Sequence, residues 1–189
     1  SRSTMTKTFI QISDSHIDDE KLVMGVDSQA NLGAIVSVIS QKNYDALLIS
    51  GDLAHNGTLE SYQILQKILD PIETEIYVLP GNHDDLSNLS QVFNKSYLCN
   101  FTIDCWEVIT IDSVQAGKVS GRISDKQLYS LSQEIRSSSA KYIVLCLHHP
   151  PVSMQSDWDD EMSLENPEDL FTVIDQFNNI KAIMWGHAH

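Results

Sequence analysis

The stretch EIYVLPGNHDD, Glu75–Asp85, runs from a β-prone apolar segment into four consecutive polar side chains. Pro80 and Gly81 end the segment, and Asn82, His83, Asp84 and Asp85 follow. A surface turn would account for this stretch alone, since Pro-Gly and Asn/Asp punctuate turns. The same succession recurs along the chain. TFIQIS, Thr8–Ser13, reads as a short strand and leads into Asp14, Ser15 and His16. ALLIS, Ala46–Ser50, reads as a buried strand and leads into Gly51 and Asp52. YIVLCL, Tyr142–Leu147, ends in His148, His149 and Pro150; KAIMW, Lys181–Trp185, ends in Gly186, His187, Ala188 and His189. Every cluster lies just past the carboxyl end of a predicted strand. In an open α/β sheet those ends share one edge, where ligands bind.

Helical patterns fill the intervals. Asp27 or Ser28 caps a helix predicted to run to Gln41, with Ile35, Val36 and Ile39 on one face. Thr58 caps another that carries Leu65, Ile68 and Leu69, and a short helix covers Leu86–Phe93. Trp106–Asp112 alternates as a strand. Ser124 and Gln127 form a capping box ahead of Leu128, Leu131 and Ile135. Asn166-Pro167-Glu168-Asp169 combines a cap, a proline at the first helical position and acids in the first turn. Strands alternating with helices predict an α/β sandwich with a largely parallel sheet.

Composition narrows the function. The chain has 189 residues, the length of one domain, and is 42% hydrophobic, enough for a core. It holds no apolar run long enough to span a membrane. SRSTMTK lacks the apolar stretch of a signal peptide, and Ser1–Thr4, ahead of Met5, read as an extraneous remnant. Cys99, Cys105 and Cys146 follow no paired spacing, which predicts reduced thiols and a cytoplasmic protein. A formal charge of −14 argues against nucleic-acid polymers, whose binding requires basic patches. A small phosphate ester remains open to an acidic chain that carries its own cations.

The convergent residues supply a place for such cations. Asp14, His16, Asp52, Asn82, His148, His187 and His189 offer carboxylate, imidazole and amide oxygen, with no cysteine among them. That donor set suits Mn, Fe, Co, Ni or Zn rather than a thiolate zinc site. Seven donors exceed the needs of one ion, whereas two ions about 3.5–4 Å apart would use them all and require a bridging carboxylate. Asp52, at the end of a central strand, is the natural bridge. Gly51, Gly81 and Gly186 each stand immediately before a ligand. His55 is within reach of the site rim but reads first as a solvated loop histidine, and Asp84 and Asp85 read as groups that orient His83 or cap the next helix. Ser153–Pro167 reads as a mobile acidic loop near the site, in which Trp158 packs as an anchor or stacks on a base.

The set D-x-H, GD, GNHD, HHP and GHxH resembles the calcineurin-like metallophosphoesterase superfamily, in its class III cyclic nucleotide phosphodiesterase branch. The resemblance runs from Phe9 to His189 and includes GDLAHNG, LPGNHD, LHHPP and the terminal GHAH. It implies an αββα sandwich of one domain, 1–189, cut short after GHAH so that part of the second sheet is missing. It gives one metal to Asp14, His16, Asp52 and His189, and the second to Asp52, Asn82, His148 and His187. His83 then contacts the phosphate or protonates the leaving oxygen, with Asp52 bridging as the other catalytic residue. The implied activity is hydrolysis of 3',5'-cyclic nucleotides, cyclic AMP to 5'-AMP, by a hydroxide held on two divalent or mixed-valence ions, Fe and Mn ahead of Zn, Co and Ni. The missing strands would leave an apolar edge and favour a homodimer. The alternatives are another phosphodiester or monoester as substrate, or a non-catalytic metal-binding scaffold.

Overall fold

The structure is a computed structural model and describes residues 7–20, 22–152 and 161–187. Among the described residues, seven strands form two sheets. The first is wholly parallel, in the order β1 (Phe9–Ile12), β2 (Ala46–Ser50), β3 (Glu75–Leu79). The second runs β4 (Phe101–Ile103), β5 (Trp106–Thr110), β6 (Tyr142–Cys146), β7 (Ile180–Met184); β4 pairs antiparallel with β5 and the other pairs are parallel. Three helices follow the strands of the first sheet: α1 (Ser28–Ile39), α2 (Leu59–Ile68) and α3 (Leu86–Val92). Among the described residues, two belong to the second: α4 (Asp125–Ser137) and α5 (Pro167–Ile174). None of the described helices is long and apolar enough to cross a membrane.

Side-chain alternation makes four layers. On β2, Leu47 and Ile49 face α1 and α2 in one core, while Ala46 and Leu48 face the second sheet. On β6, Ile143 and Leu145 pack under α4 and α5, while Val144 and Cys146 meet Ala46, Leu48 and Leu79 between the sheets. Both strands are therefore apolar on both faces, as buried parallel strands must be. The molecule is thus the expected αββα sandwich, but the polar clusters do not share one sheet edge. Three follow strands of the first sheet and two follow strands of the second, so the site lies where the two carboxyl edges meet.

Local signals agree with the sequence at several caps. The Asp27 carboxylate accepts from the Ala30 amide, and Thr58 from Ser61. The Ser124–Gln127 capping box is complete. Asn166 departs from expectation and makes no side-chain cap. Its buried amide instead exchanges hydrogen bonds with the Ile123 backbone, at 3.0 and 2.7 Å, tying α5 to the start of α4. β4 was not predicted: Phe-Thr-Ile is too short to show a period. Trp158 and most of the proposed acidic loop lie outside the described residues. Residues 161–166 are held back onto the chain through Leu164 N–H to the Pro150 carbonyl and Glu165 N–H to the Gly121 carbonyl. All three cysteines are free, and burial pushes the Cys146 thiol up to about 12.

Phe101 on β4 joins the sheets. It stacks on Tyr77 of β3 at 4.0 Å between ring centroids and meets Phe9 of β1 edge-on at 5.9 Å. Phe101→Ala is expected to lower unfolding free energy in urea by about 3–5 kcal/mol, the usual cost of emptying an aromatic core position. Tyr129→Ala, at an exposed position of α4, should stay within about 0.5 kcal/mol. Equal effects would contradict the role given to Phe101.

Candidate metal centre

The strand ends are locked to one another by backbone hydrogen bonds before any side chain is considered. Asp14 N–H donates to the Gly51 carbonyl at 3.0 Å, and His16 N–H to the Asp52 carbonyl at 3.0 Å. Gly186 N–H donates to the His148 carbonyl at 3.1 Å. Asp14, His16, Asp52 and His187 all have positive φ, between 45° and 71°. Non-glycine residues rarely occupy this region, at about 1–3 kcal/mol each, and such strain gathers at functional sites. Gly51, at φ 102°, allows the turn into Asp52, and a Cβ there would overlap the His148 ring. Gly81 meets a different demand: a Cβ would overlap the Asp52 carboxylate and amide.

Asp52 stands at the centre and is almost wholly buried. Its Oδ1 accepts from the His83 amide at 2.9 Å. Its Oδ2 is 3.8 Å from His16 Nε2 on one side, and 3.2 Å from His148 Nε2 and 3.8 Å from His187 Nδ1 on the other. Burial alone would raise the carboxyl pKa, but hydrogen bonding with His148 and His187 outweighs it and holds the group well below the usual carboxylate range. Burial likewise lowers His148, yet Asp52 reverses the sign and raises it. Asp14, Asp52, His148 and His187 form one group whose ligand atoms lie within 4.8 Å of one another. His16 forms a second such group with His55 and His83.

The donor geometry asks for positive charge. His148 Nδ1–H donates to the Ser50 carbonyl at 2.9 Å, so in the neutral ring Nε2 carries a lone pair. That lone pair faces the Asp52 carboxylate and lies 3.0 Å from His187 Nδ1. Three electron-rich atoms at this range need a proton or a metal ion among them. A ring nitrogen tied to a backbone carbonyl while the other points at the cluster is also the usual arrangement of a metal-binding histidine. Asp14 Oδ1, Asn82 Oδ1 and His187 Nε2 are buried and accept no hydrogen bond among the described residues. Asp14 Oδ2 is already occupied by the His187 amide at 2.9 Å and by the Ser13 hydroxyl, which leaves Oδ1 for another partner. These residues therefore fit divalent cations. His189 lies outside the described residues.

The flanking residues sort by their partners. His83 is exposed and donates from Nδ1 to the His55 carbonyl at 2.9 Å. Asp84 does not orient it. Asp84 is buried and accepts from the amides of Leu53, Ala54 and Gly81 and from the Tyr62 hydroxyl, at 2.7–3.1 Å. Burial raises its carboxyl to about 6, and these donors oppose a larger rise. Asp85 caps α3 through the Asn88 amide. His149 is structural: its Nδ1 meets the Ser113 hydroxyl at 2.7 Å and its Nε2 the Val119 carbonyl at 2.8 Å, with burial driving its pKa down to about 3. His55 corrects the sequence reading. Its ring stacks on His83 at 5.1 Å and lies 5.6 Å from His16, so it belongs to the rim and not to a solvated loop. The signal for this was the short spacing from Asp52; the continued pairing of Ile17 with Ala54 carries the loop back to the site.

Asp84 thus holds the Asp52 loop against the Asn82–His83 loop. Asp84→Asn replaces one acceptor oxygen with a donor facing donors. It is expected to cost about 1–3 kcal/mol of stability in urea titrations. No loss would mean that the four hydrogen bonds do not support the site.

The sequence matches the calcineurin-like phosphoesterase family over residues 7–189. It is 50% identical over 185 residues to a probable cyclic nucleotide phosphodiesterase of Vesicomyosocius okutanii, covering 98% of this chain and 79% of that protein. It is 31% identical over 186 residues to the 3',5'-cyclic adenosine monophosphate phosphodiesterase CpdA of Pseudomonas aeruginosa, covering 95% of this chain and 68% of that protein. Among solved structures, a dimetal phosphatase of Danio rerio superposes with a TM-score of 0.76 at 15% identity, over 97% of this chain and 82% of that one. That likeness concerns the fold. The family match covers nearly the whole chain, and this chain belongs to the calcineurin-like phosphoesterase family.

Proposed function

We propose that the chain is a metal-dependent phosphodiesterase that hydrolyses 3',5'-cyclic nucleotides, cyclic AMP to 5'-AMP. The observation that carries this reading is Asp52 Oδ2, which faces His16 on one side and His148 and His187 on the other. Family membership and the Asp/His cluster imply divalent metal ions. In this reading Asp14, His16, Asp52 and His189 hold one ion, and Asp52, Asn82, His148 and His187 hold the other. Iron and manganese suit the mixed carboxylate, amide and imidazole donors, with zinc, cobalt and nickel as alternatives. The relatives named for cyclic nucleotides support the substrate class. The free buried thiol of Cys146 accords with a reducing, cytoplasmic compartment.

The chain's own residues divide the work. No lysine or arginine is among the described residues that line the site cavity. The ions, when bound, supply the positive charge that a −14 chain lacks and the acidity that makes water nucleophilic at neutral pH. His148 and His187, both buried, exclude solvent from the inner side of Asp52. His83 stands at the exposed side with its Nδ1 proton engaged by His55, so Nε2 is the atom that faces a substrate. Opening of the ring breaks the bond from phosphorus to O3', and the departing oxygen takes a proton from His83 Nε2. Water supplies the oxygen that adds to phosphorus, and the proton it sheds replaces the one His83 gave up.

A panel of cyclic AMP, cyclic GMP, 2',3'-cyclic nucleotides and glycerophosphodiesters tests the substrate. Hydrolysis of 3',5'-cyclic nucleotides is expected to lead the panel with manganese added, and preference for a non-nucleotide ester would overturn the reading. His83→Ala should keep its metal content by elemental analysis and lose about 10²–10⁴-fold in turnover. Loss of metal from that variant would make His83 a ligand. Asp52→Ala should bind fewer ions than Asp14→Ala, because only Asp52 serves both. Two ions retained in Asp52→Ala would exclude the bridge.

A further inference from the structure

The cavity over the Asp/His cluster has about 750 Å³ of room, far more than a phosphate occupies. It lies in the range of about 300–1,000 Å³ that whole small-molecule ligands fill. Its far wall is chemically unlike the metal centre. Val23, Met24, Val26, Leu32 and Ile35 form an apolar lobe. Within the lobe the Ser28 hydroxyl, in a residue only 7% exposed, has no hydrogen-bond partner among the described residues, and Asn31 brings an amide. An apolar lobe with a few convergent polar groups is how proteins recognise a flat organic ring.

The chain goes to some expense to present this lobe. Val23 and Val26 exchange both backbone hydrogen bonds, at 2.8 and 2.9 Å, around a two-residue turn. Met24 and Gly25 both have positive φ, 49° and 81°, the pattern of a tight hairpin turn. Met24 is therefore strained and also 90% exposed, while Ile35 beside it in the lobe is 45% exposed. Exposed apolar side chains gathered in one place, unlike single scattered ones, mark a contact surface. The lobe is also fixed relative to the metal centre. The Asp18 carbonyl accepts from Gln29 of α1 at 2.8 Å, and its carboxylate accepts from Asn56, four residues past Asp52, at 2.9 Å.

We infer that this lobe is the nucleobase subsite: the base lies against Met24, Val26 and Ile35 with an edge on the Ser28 hydroxyl, while the phosphate sits over Asp52. The inference rests on the proposed activity on cyclic nucleotides. It assigns substrate selection to residues 23–35, none of which is a predicted ligand.

Calorimetric titration of manganese-loaded protein with 5'-AMP, ribose 5-phosphate and inorganic phosphate tests it. The wild type should bind 5'-AMP more tightly than ribose 5-phosphate. Met24→Asp and Ile35→Asp change exposed side chains and leave folding intact. Each should lose about tenfold in 5'-AMP affinity, the equivalent of part of one buried apolar side chain. Ser28→Ala should weaken 5'-AMP by a smaller factor, and inorganic phosphate should bind all variants alike. Unchanged 5'-AMP binding overturns the inference. So does a parallel fall for phosphate, which would make the lobe a support of the metal centre. A wild-type dimer that light scattering shows dispersed by Ile35→Asp, with 5'-AMP unaffected, would assign the lobe to a second copy and overturn it as well. Turnover of cyclic AMP by the wild type is read separately. Its absence together with lobe-dependent 5'-AMP binding would remove the proposed activity but leave the nucleotide subsite standing.

Discussion

The structure turns on one carboxylate. Asp52 is buried in one cluster with Asp14, His148 and His187, and its Oδ2 also lies 3.8 Å from His16 Nε2. Burying a charge is costly unless it is paired and hydrogen-bonded. Here the pairing comes from residues on β1, β6 and β7 loops, so the arrangement is stable only if both sheets end at the same place. The fold can be understood as the device that meets this condition. The register of β1 against β2 aligns Ile12 with Ile49, and the two chains leave the sheet together, linked by Asp14 to Gly51 and His16 to Asp52. The register of β6 against β7 does the same for His148 and Gly186.

Strain and support are distributed around that centre. Left-handed backbone at Asp14, His16, Asp52 and His187 is unfavourable locally and persists because the strands fix it from outside. Asp84 gathers three amides and the Tyr62 hydroxyl beneath the site, so the two loops that carry Asp52 and His83 are tied to each other. The exposed side of the site is built differently. His55 stacks on His83 there and His16 meets both rings edge-on, all with less burial, which leaves room for groups that must meet a substrate.

Much of this was legible in the sequence. Strand ends followed by Asp, His or Asn located the site, and alternating apolar runs located the layers. The reading ran out where a signal was short or depended on space. Phe101–Ile103 is too brief to show a period, although it pins the sheets together. The need for glycine at Gly81 is set by Asp52, a residue 29 positions away in sequence. Asn166 carries a good capping pattern, yet its amide is taken by Ile123, a tertiary partner that no local rule reveals. His55 and the lobe around Ile35 had ordinary loop and helix sequences; only the folded chain brings them to the cavity.

The central claim is that Asp52 stands between two cations. Anomalous diffraction from crystals of manganese-loaded protein tests it most directly. The account predicts two peaks about 3.5–4 Å apart, one on the Asp14 and His16 side of Asp52 and one on the His148 and His187 side. A single peak held by His16, His55 and His83, with none at Asp52, would contradict it.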